Sequence, residues 1–530
     1  MYLYNARIYT FDPAHPIVSA LAIRDGRIAA LGTENDISSE LKRQPVNLAG
    51  RVVLPGLTDA HIHLEYYALG LQKIDCETAT RQACLARVAE RARQAPPGDW
   101  ILGHGWNQNL WPEGFGSTAD LDAVAPNHPV YLTAKSLHAG WANTTALRKA
   151  NVTAASPDPL GGRFGRDASG VPDGILFESA MEVVDEVIPA ATEEQVAQAL
   201  QIAQPVLWRM GITGVHDFDR RRCFAALQIL HQRGELRLRV LKSIPLEDLP
   251  HAAAFGLRSG LGDDWLRIGG VKMFADGALG PQTAAMLQPY LGDPQNRGML
   301  LMDAEEIFEH GRLAVENGLP LAVHAIGDRA NHEVLDAFSQ LRRLEEQMHT
   351  VSSRPGRRLR HRIEHVQLIH ADDAARLAEL GVVASMQPIH ATSDMLMADR
   401  FWGQRAALSY AWKTQLNHGA VLAFGSDAPV ESPNPFWGLH AAVTRQRADG
   451  SPGPQGWYPE QRLSLEQAFH GFTTGAAYVA GWEDRMGMLA TGYLADLIVL
   501  ERDPFECAPQ ELHTLKPYAT MIGGDWVYQE

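Results

Sequence analysis

The sequence predicts an α/β protein: a TIM-type (β/α)8 barrel, a composite β-sandwich made from both termini, and a large insert after the first barrel strand. Three observations carry this. Eight strand-like segments alternate with helical patterns through the middle of the chain, as a closed parallel barrel requires. Several of those segments end in His, Lys or Asp, and barrel enzymes build their sites at the C-terminal strand ends. Both ends of the chain, in contrast, read as short strands without intervening helices. A doubly wound open sheet is the rival, and it predicts no gathering of polar residues from both ends of the strand series. At 530 residues the chain has room for a large barrel with additions.

Taken in order, Tyr2–Tyr9, Ala20–Arg24 and Arg27–Leu31 are strand-like, with Asp25-Gly26 as a hairpin turn. The far end mirrors them: Ala495–Leu500 is a buried-strand run, and Ala519–Ile522 and Trp526–Tyr528 flank Gly523-Gly524-Asp525. Residues 1–50 and 485–530 are therefore expected to share one small sheet domain, with residues 51–484 forming the barrel. Two unrelated β caps are the alternative.

The apolar run Val52–Leu54 is broken by Pro55-Gly56, and an alternation follows in which His61 and His63 stand two apart. On an extended strand such residues share a face, so both imidazoles can aim at one metal. A bare H-x-H is more often just a strand end with exposed histidines; the downstream pattern argues otherwise. About 150 residues separate this strand from the next, beyond an ordinary connection. Residues 66–190 are expected to form a subdomain over the barrel mouth, with strands at Trp100–Gly103 and Val130–Thr133 and many aromatics (Trp100, Trp106, Trp111, Phe115, Trp141). The remaining barrel strands are Thr213–Phe218, Leu236–Ile244, Ile268–Asp276, Leu321–Ile326, His361–Val366, Val382–Gln387 and Val421–Asp427. Thr192–Met210 opens with the capping-box pattern T-E-E-Q, and Asp303–Asn317 and Asp372–Leu380 are helices closed by Gly. The basic stretch Ser352–Arg362 is expected to face its arginines to solvent.

Composition bounds the function. The formal net charge of −15 argues against nucleic acid or an anionic membrane as partner. No apolar run approaches the ~20 residues of a membrane span, and no secretory signal is visible at the N-terminus. Cys76, Cys84, Cys223 and Cys507 form no C-x-x-C pair, which suits reduced thiols in a cytoplasm and disfavours a thiolate metal site. A small-molecule substrate is expected, with a homodimer left open.

In a barrel, His61 and His63 from strand one, Lys272 from strand four, His324 from strand five, His365 from strand six and Asp427 from strand eight converge on one rim. Each has a dull explanation alone, such as an Asp that caps a helix; together they would be six coincidences.

The stretches P-G-L-T-D-A-H-I-H (55–63), G-I-T-G-V-H-D (211–217), V-K-M-F-A-D-G-A-L-G (271–280), H-A-I-G-D-R-A (324–330), R-I-E-H-V-Q (362–367), G-S-D-A-P-V (425–430) and G-Y-L-A-D-L-I-V-L (492–500) resemble the amidohydrolase superfamily. The resemblance is closest to its YtcJ-like branch, which includes N-substituted formamide deformylase. It implies hydrolysis, most often at a C–N bond, on a metal-bearing barrel, with one or two divalent ions and zinc the metal expected. It further implies His61 and His63 as ligands of a first metal and His324 and His365 as ligands or an orienting pair for a second. Lys272 falls where relatives carry a bridging lysine carbamate, and Asp427 would bind metal and act as general base. The catalytic set expected is thus Asp427, His324 and Lys272. His138 and Glu178 in family-like stretches, His216 with Asp217 at strand two, Arg329 with Asp328, and the rings of Trp106 and Trp141, with Trp402 and Trp437, are candidates to contact substrate. Because one scaffold hosts many reactions, a deaminase, a cyclic amide hydrolase, and a metal-dependent isomerase or binding protein are the alternatives.

Overall fold

The computed structural model describes every residue except 109–110, 136–138, 161 and 352–357. Eight strands run parallel in chain order: Leu57–Ile62, Ile212–Asp217, Arg239–Pro245, Leu266–Phe274, Leu321–Ala325, Arg362–His365, Val383–Met386 and Leu422–Phe424. Each pairs with its sequence neighbours, and a parallel bridge between Ile62 and Ala428 joins the last segment to the first. The result is a nearly closed (β/α)8 barrel, not an open sheet. Several strands, such as Val383–Met386, are buried along their whole length, which is why they read as apolar runs rather than alternations.

The seam between first and last strands is held mainly by side chain and loop. The Asp427 N–H donates to the His61 carbonyl at 2.7 Å, and the His63 N–H to the Ala428 carbonyl at 2.9 Å. Between them the buried Asp59 carboxylate accepts from the backbone N–H groups of His61 and Ser426 (3.0 Å each) and from the Ser426 hydroxyl at 2.5 Å. Gly425 has to be glycine here: a Cβ would sit 2.4 Å from the His61 nitrogen and 2.7 Å from Asp59 Oδ1.

The termini form two sheets. One contains Tyr2–Tyr4, Ala20–Arg24, Arg27–Gly32 and Pro45–Asn47; the other contains Arg7–Tyr9, Ile17–Val18, Val52–Pro55, Leu497–Leu500, Pro517–Ile522 and Asp525–Gln529. Leu3, Ile8, Leu21, Val53, Leu497, Val499 and Met521 share one core, so N- and C-terminal segments bury each other's apolar faces. Two expectations are corrected. Tyr2–Tyr9 is two strands, because Asn5 turns left-handed (φ 54°) and sends the halves to different sheets. Val52–Pro55 pairs with Leu497–Leu500, so the barrel begins at Leu57 rather than at residue 51. The hairpins occur as expected, with Asp25 and Gly26 (φ 52° and 74°) and Gly523 and Gly524 (φ 60° and 83°) at their tips, as a type I′ turn demands. Arg239, on the third barrel strand, binds Asp496 through two bonds of 2.9 Å, a buried bidentate pair that ties barrel to sandwich.

Helix Glu193–Arg209 is capped as the T-E-E-Q pattern requires: Gln195 N–H reaches Thr192 Oγ1 at 3.2 Å and Thr192 N–H reaches Gln195 Oε1 at 2.8 Å. Ala304–Glu316 has Asp303 in the same role with Glu306. The Asp372–Leu380 segment is a 3-10 turn, Ala371–Asp373, followed by the short helix Arg376–Leu380, which ends at left-handed Gly381. Not all arginines of the 352–362 stretch face solvent: Arg360 pairs with Glu483, and Arg362 is buried in the barrel against Glu364. Residues 352–357 of that stretch lie outside the described residues. Among the described residues, no helix is long and apolar enough to cross a membrane.

The insert, Ala68–Ala199, is a compact unit. Its six strands follow the order Gly162–Arg166, Pro172–Glu178, Ala139–Ala142, Val130–Ala134, Ile101–Trp106, Ile74–Asp75. Trp106, Trp111 and Trp141 pack edge and face against one another at centroid distances of 6.1–6.5 Å, together with Leu121, Leu132 and Ile175. Their indole N–H groups are satisfied internally: Trp106 on the Leu132 carbonyl (2.8 Å), Trp111 on Thr78 (2.9 Å) and Trp141 on Ser117 (2.9 Å). Gly116 lets the chain cross the Trp141 ring, where a Cβ would lie 2.1 Å from it. Trp106 and Trp141 are therefore core residues of this unit, not a pocket lining. Trp141→Ala should destabilise the protein by about 3–5 kcal/mol, the usual cost of emptying a buried aromatic site; a loss under about 1 kcal/mol in chemical denaturation would contradict this assignment.

Candidate metal centre

Asp427 lies just beyond the eighth strand, on the C-terminal side of the seam, and the seam brings it beside the first strand. Its Oδ1 is 3.4 Å from His61 Nε2 and 3.4 Å from His63 Nε2. On the same rim the rings of His61 and His365 are 4.9 Å apart, and those of His324 and His365 4.5 Å. His390, which the sequence reading did not single out, stacks parallel to His365 at 6.1 Å. Among the described residues three sets of ligand atoms each fall within 4.8 Å of one another: His61, His63 and Asp427; His365, His390 and Asp427; and, behind His63, Asp217, Asp219 and Cys223.

The backbone is strained where it delivers these groups. His365 (φ 77°), Val366 (φ 44°) and Asp427 (φ 61°) are left-handed, a conformation costing roughly 1–3 kcal/mol for residues with a Cβ and common at functional sites. It is also what lets the adjacent residues Glu364 and His365 both reach the centre, against the alternation of an ordinary strand.

Each imidazole is set by the partner of its second nitrogen. His61 Nδ1 donates to Glu364 Oε2 at 2.6 Å, and the other oxygen of that carboxylate faces Arg362 Nε at 2.7 Å. His63 Nδ1 meets Asp219 Oδ1 at 3.0 Å, and His365 Nδ1 donates to Gln387 Oε1 at 2.8 Å. His324 faces the Gly277 carbonyl through Nε2 at 2.9 Å, so Nδ1 is its unprotonated nitrogen. Lys242 Nζ pairs with Asp217 at 2.8 Å and also donates to the Asp219 carbonyl, bracing the carboxylate behind His63.

The protonation pattern follows. Burial and the Lys272 ammonium push His61 down to about 4 and His324 to about 3, and burial with His324 holds His365 well below the usual imidazole range. Burial alone would keep Asp427 neutral, but His61, His63, His365 and His390 outweigh it and hold the carboxylate well below its ordinary value. His63 goes the other way: burial opposes charge, yet Asp219 and Asp427 raise it to about 9. Lys272, buried over the rings of Phe218 and Phe274 at 4.5 and 4.8 Å, falls to about 8, driven by burial and Arg362 against the pull of Glu364 and Asp427. Among the described residues no carboxylate lies within ion-pair distance of its Nζ.

These residues fit a divalent cation. With Nδ1 protonated on both, His61 Nε2, Asp427 Oδ1 and, once its second proton leaves, His63 Nε2 are three acceptors converging on one point, and among the described residues His61 Nε2 is buried without a hydrogen-bond partner. A cation competes with the proton that the two carboxylates otherwise hold on His63.

Other expected residues fall elsewhere. His216 is buried inside the barrel, its Nδ1 3.1 Å from Arg362 Nη1, so it braces the interior rather than lining an accessible surface. Arg329 is exposed and pairs with Glu333 at 3.6 Å, while the Asp328 carboxylate accepts the Leu287 N–H at 2.8 Å. Glu178 is exposed at the end of its strand with φ 51°. Trp402 is buried and Trp437 is 45% exposed. His138 lies outside the described residues. Asp59, Asp219, Glu364, Gln387 and His390 were not singled out. Asp59 and Glu364 carried a signal, since Asp59 is two residues from His61 on the same strand face and Glu364 adjoins His365.

The family model described as "Amidohydrolase family" matches residues 44–528. The chain belongs to the amidohydrolase family. The "Putative amidohydrolase YtcJ" of Bacillus subtilis (strain 168) is 32% identical over 550 residues, covering 99% of this chain and 98% of its own. N-substituted formamide deformylase of Arthrobacter pascens is 28% identical over 99% of this chain and 97% of its own length. Among solved structures, an uncharacterized metal-dependent hydrolase from Pyrococcus horikoshii OT3 superimposes with a TM-score of 0.78 at 28% identity, covering 96% of this chain and 98% of that one. In this amidohydrolase, Glu364→Gln removes the charge that holds Nδ1–H of His61. Metal affinity should fall about 10–100-fold, the usual effect of losing a carboxylate behind a ligand histidine; unchanged affinity in a chelator competition, with melting temperature as the folding control, would show that Glu364 does not orient His61.

Proposed function

We propose that this amidohydrolase cleaves a C–N bond of a small molecule, of amide or N-substituted formamide type, by metal-assisted hydrolysis. The observation that supports this most is the convergence of Asp427 Oδ1 with His61 Nε2 and His63 Nε2. His61, His63 and Asp427 would hold one ion, with His324 and His365 framing a second; zinc suits such nitrogen and oxygen donors. A divalent cation there supplies Lewis acidity, polarising a carbonyl and acidifying water enough for attack near neutral pH.

The chain's own residues do the rest. Asp427 is ionised, and its Oδ2 faces His390 rather than His61 and His63. It accepts the proton of the attacking water and returns it to the nitrogen as the C–N bond breaks. As a carbamate, Lys272 would offer two anionic oxygens to the metal: the neutral amine attacks carbon dioxide, an N–C bond forms and one proton is released. Burial lowers the Lys272 pKa to about 8, which raises the share of neutral, nucleophilic amine above that of an ordinary lysine. A relative named N-substituted formamide deformylase fits this reading, as do the nitrogen and oxygen donors of His61, His63 and Asp427.

The test is elemental analysis with a panel of N-acyl, formamide and cyclic amide substrates. Asp427→Asn should lower kcat by about 10²–10⁴-fold, the span of general acid–base work, with bound metal largely retained. Lys272→Ala should lose metal and activity, both partly restored by short carboxylic acids, whereas Lys272→Arg should stay inactive. A metal-loaded Asp427→Asn protein with near wild-type kcat would remove Asp427 from the mechanism. Ammonia release or ring opening in place of amide cleavage would mark a deaminase or a cyclic amide hydrolase.

A further inference from the structure

We propose that His390 is an additional catalytic residue of this centre. On the hydrolytic reading above, on which this rests, it donates a hydrogen bond from Nε2–H to the substrate's carbonyl oxygen as negative charge develops there. His390 stands in the first turn of the helix Pro388–Trp402, directly after the seventh barrel strand, and is 6% exposed. Its ring is fixed by stacking on His365, the two planes within 8°. Among the described residues its Nε2 is buried without a hydrogen-bond partner. The nearest carboxylate oxygen, Asp427 Oδ2, is 3.9 Å away, beyond a hydrogen bond. A buried imidazole nitrogen left open beside the general base is arranged for a group that arrives with the substrate.

Its neighbours decide which atom it offers. Gln367 Nε2 faces His390 Nδ1 at 3.4 Å. An amide nitrogen only donates, so with the Gln367 amide in this orientation Nδ1 carries the lone pair and Nε2 the proton. The stacked partner has the opposite arrangement: His365 Nδ1 donates to Gln387 Oε1 at 2.8 Å, which leaves its Nε2 as a lone pair. The two parallel rings therefore present different chemistry to one rim, His365 an acceptor suited to a cation and His390 an N–H suited to an anion. The N-terminal end of helix Pro388–Trp402 adds a partial positive charge on the same side. Ligand atoms of His365, His390 and Asp427 lie within 4.8 Å of one another, so a single reacting carbonyl can meet both the base and the donor.

In the step proposed, the water oxygen bonds to the carbonyl carbon and the C=O π pair moves onto the carbonyl oxygen, which His390 Nε2–H stabilises. When the C–N bond breaks, that pair re-forms the carbonyl and the nitrogen takes the proton held by Asp427. His390 keeps its own proton throughout, so no further acid or base is needed.

The test compares His390→Phe, which keeps a ring for stacking but has no N–H, with His390→Gln, which retains a donor; His390→Leu serves if the Phe variant does not fold. On an amide turned over by the wild type, Phe should lower kcat by about 10²–10³-fold, the effect of removing one oxyanion donor, and Gln should recover part of it. Metal equivalents, melting temperature and the visible spectrum of the cobalt-loaded protein should match wild type. Lost metal or an altered cobalt spectrum in His390→Phe would make His390 a ligand and overturn its role as donor, leaving the hydrolytic reading intact. Wild-type kcat in a folded His390→Phe or His390→Leu protein would equally overturn it. A wild-type protein that hydrolyses no amide in the panel would remove the hydrolytic reading itself, and His390's role with it.

Discussion

The buried carboxylate of Asp59 is the constraint on which the centre depends. A parallel barrel must join its last strand to its first, and here 367 positions of sequence separate the groups that meet. Asp59 does this with one side chain, gathering the His61 and Ser426 N–H groups and the Ser426 hydroxyl. Burial pushes its pKa up to about 7, against the stabilising pull of those donors; the group is tolerated because every bond it makes holds the seam. With the seam closed, Asp427 is left beside His61 and His63. Opened by even an ångström, the three acceptors would no longer share one point, and 1 Å misplacements are known to cost catalysis heavily.

A second layer of buried charge turns this meeting into a defined chemical state. Glu364 lies in the barrel interior, where Arg362 and His61 overcome the penalty of burial and hold it at about 2. Arg362 spans to His216 and to the Ala60 carbonyl, so one ion pair reaches the first, second and sixth strands. Removing either partner would strand a charge in a low-dielectric interior. Together with Lys242, Asp217 and Asp219 behind His63, this network chooses which ring nitrogen of each ligand carries a proton. Orientation and tautomer are thus properties of the barrel interior, not of the rim residues alone.

Much of this was legible in the linear order. Eight apolar segments with helices between them mark a barrel because a parallel strand buried on both faces must be apolar along its length. His61 and His63 follow from strand periodicity, the hairpin tips from glycine's access to positive φ, and the helix starts from paired Thr192–Gln195 and Asp303–Glu306. These are local rules, set by residues within a few positions of one another, and they survive folding unchanged.

What only the tertiary structure decided are contacts between residues far apart in sequence. The tryptophans of the insert could have lined a pocket; they became a core because Trp106, Trp111 and Trp141 find one another and each indole N–H meets a carbonyl inside the unit. His216 carries the same strand-end signature as His324, yet it turns to Arg362 while His324 joins the rim. His390 had no signal, being one histidine in a helix, until stacking on His365 placed it at the centre. Glu364 and His365 could not both be assigned to one face from alternation, because the left-handed backbone at His365 breaks that alternation. Sequence by itself therefore determined the barrel and most of the rim residues through short-range periodicity. Which side chains complete the centre, and which proton each carries, depended on packing and electrostatics that exist only once the barrel has closed.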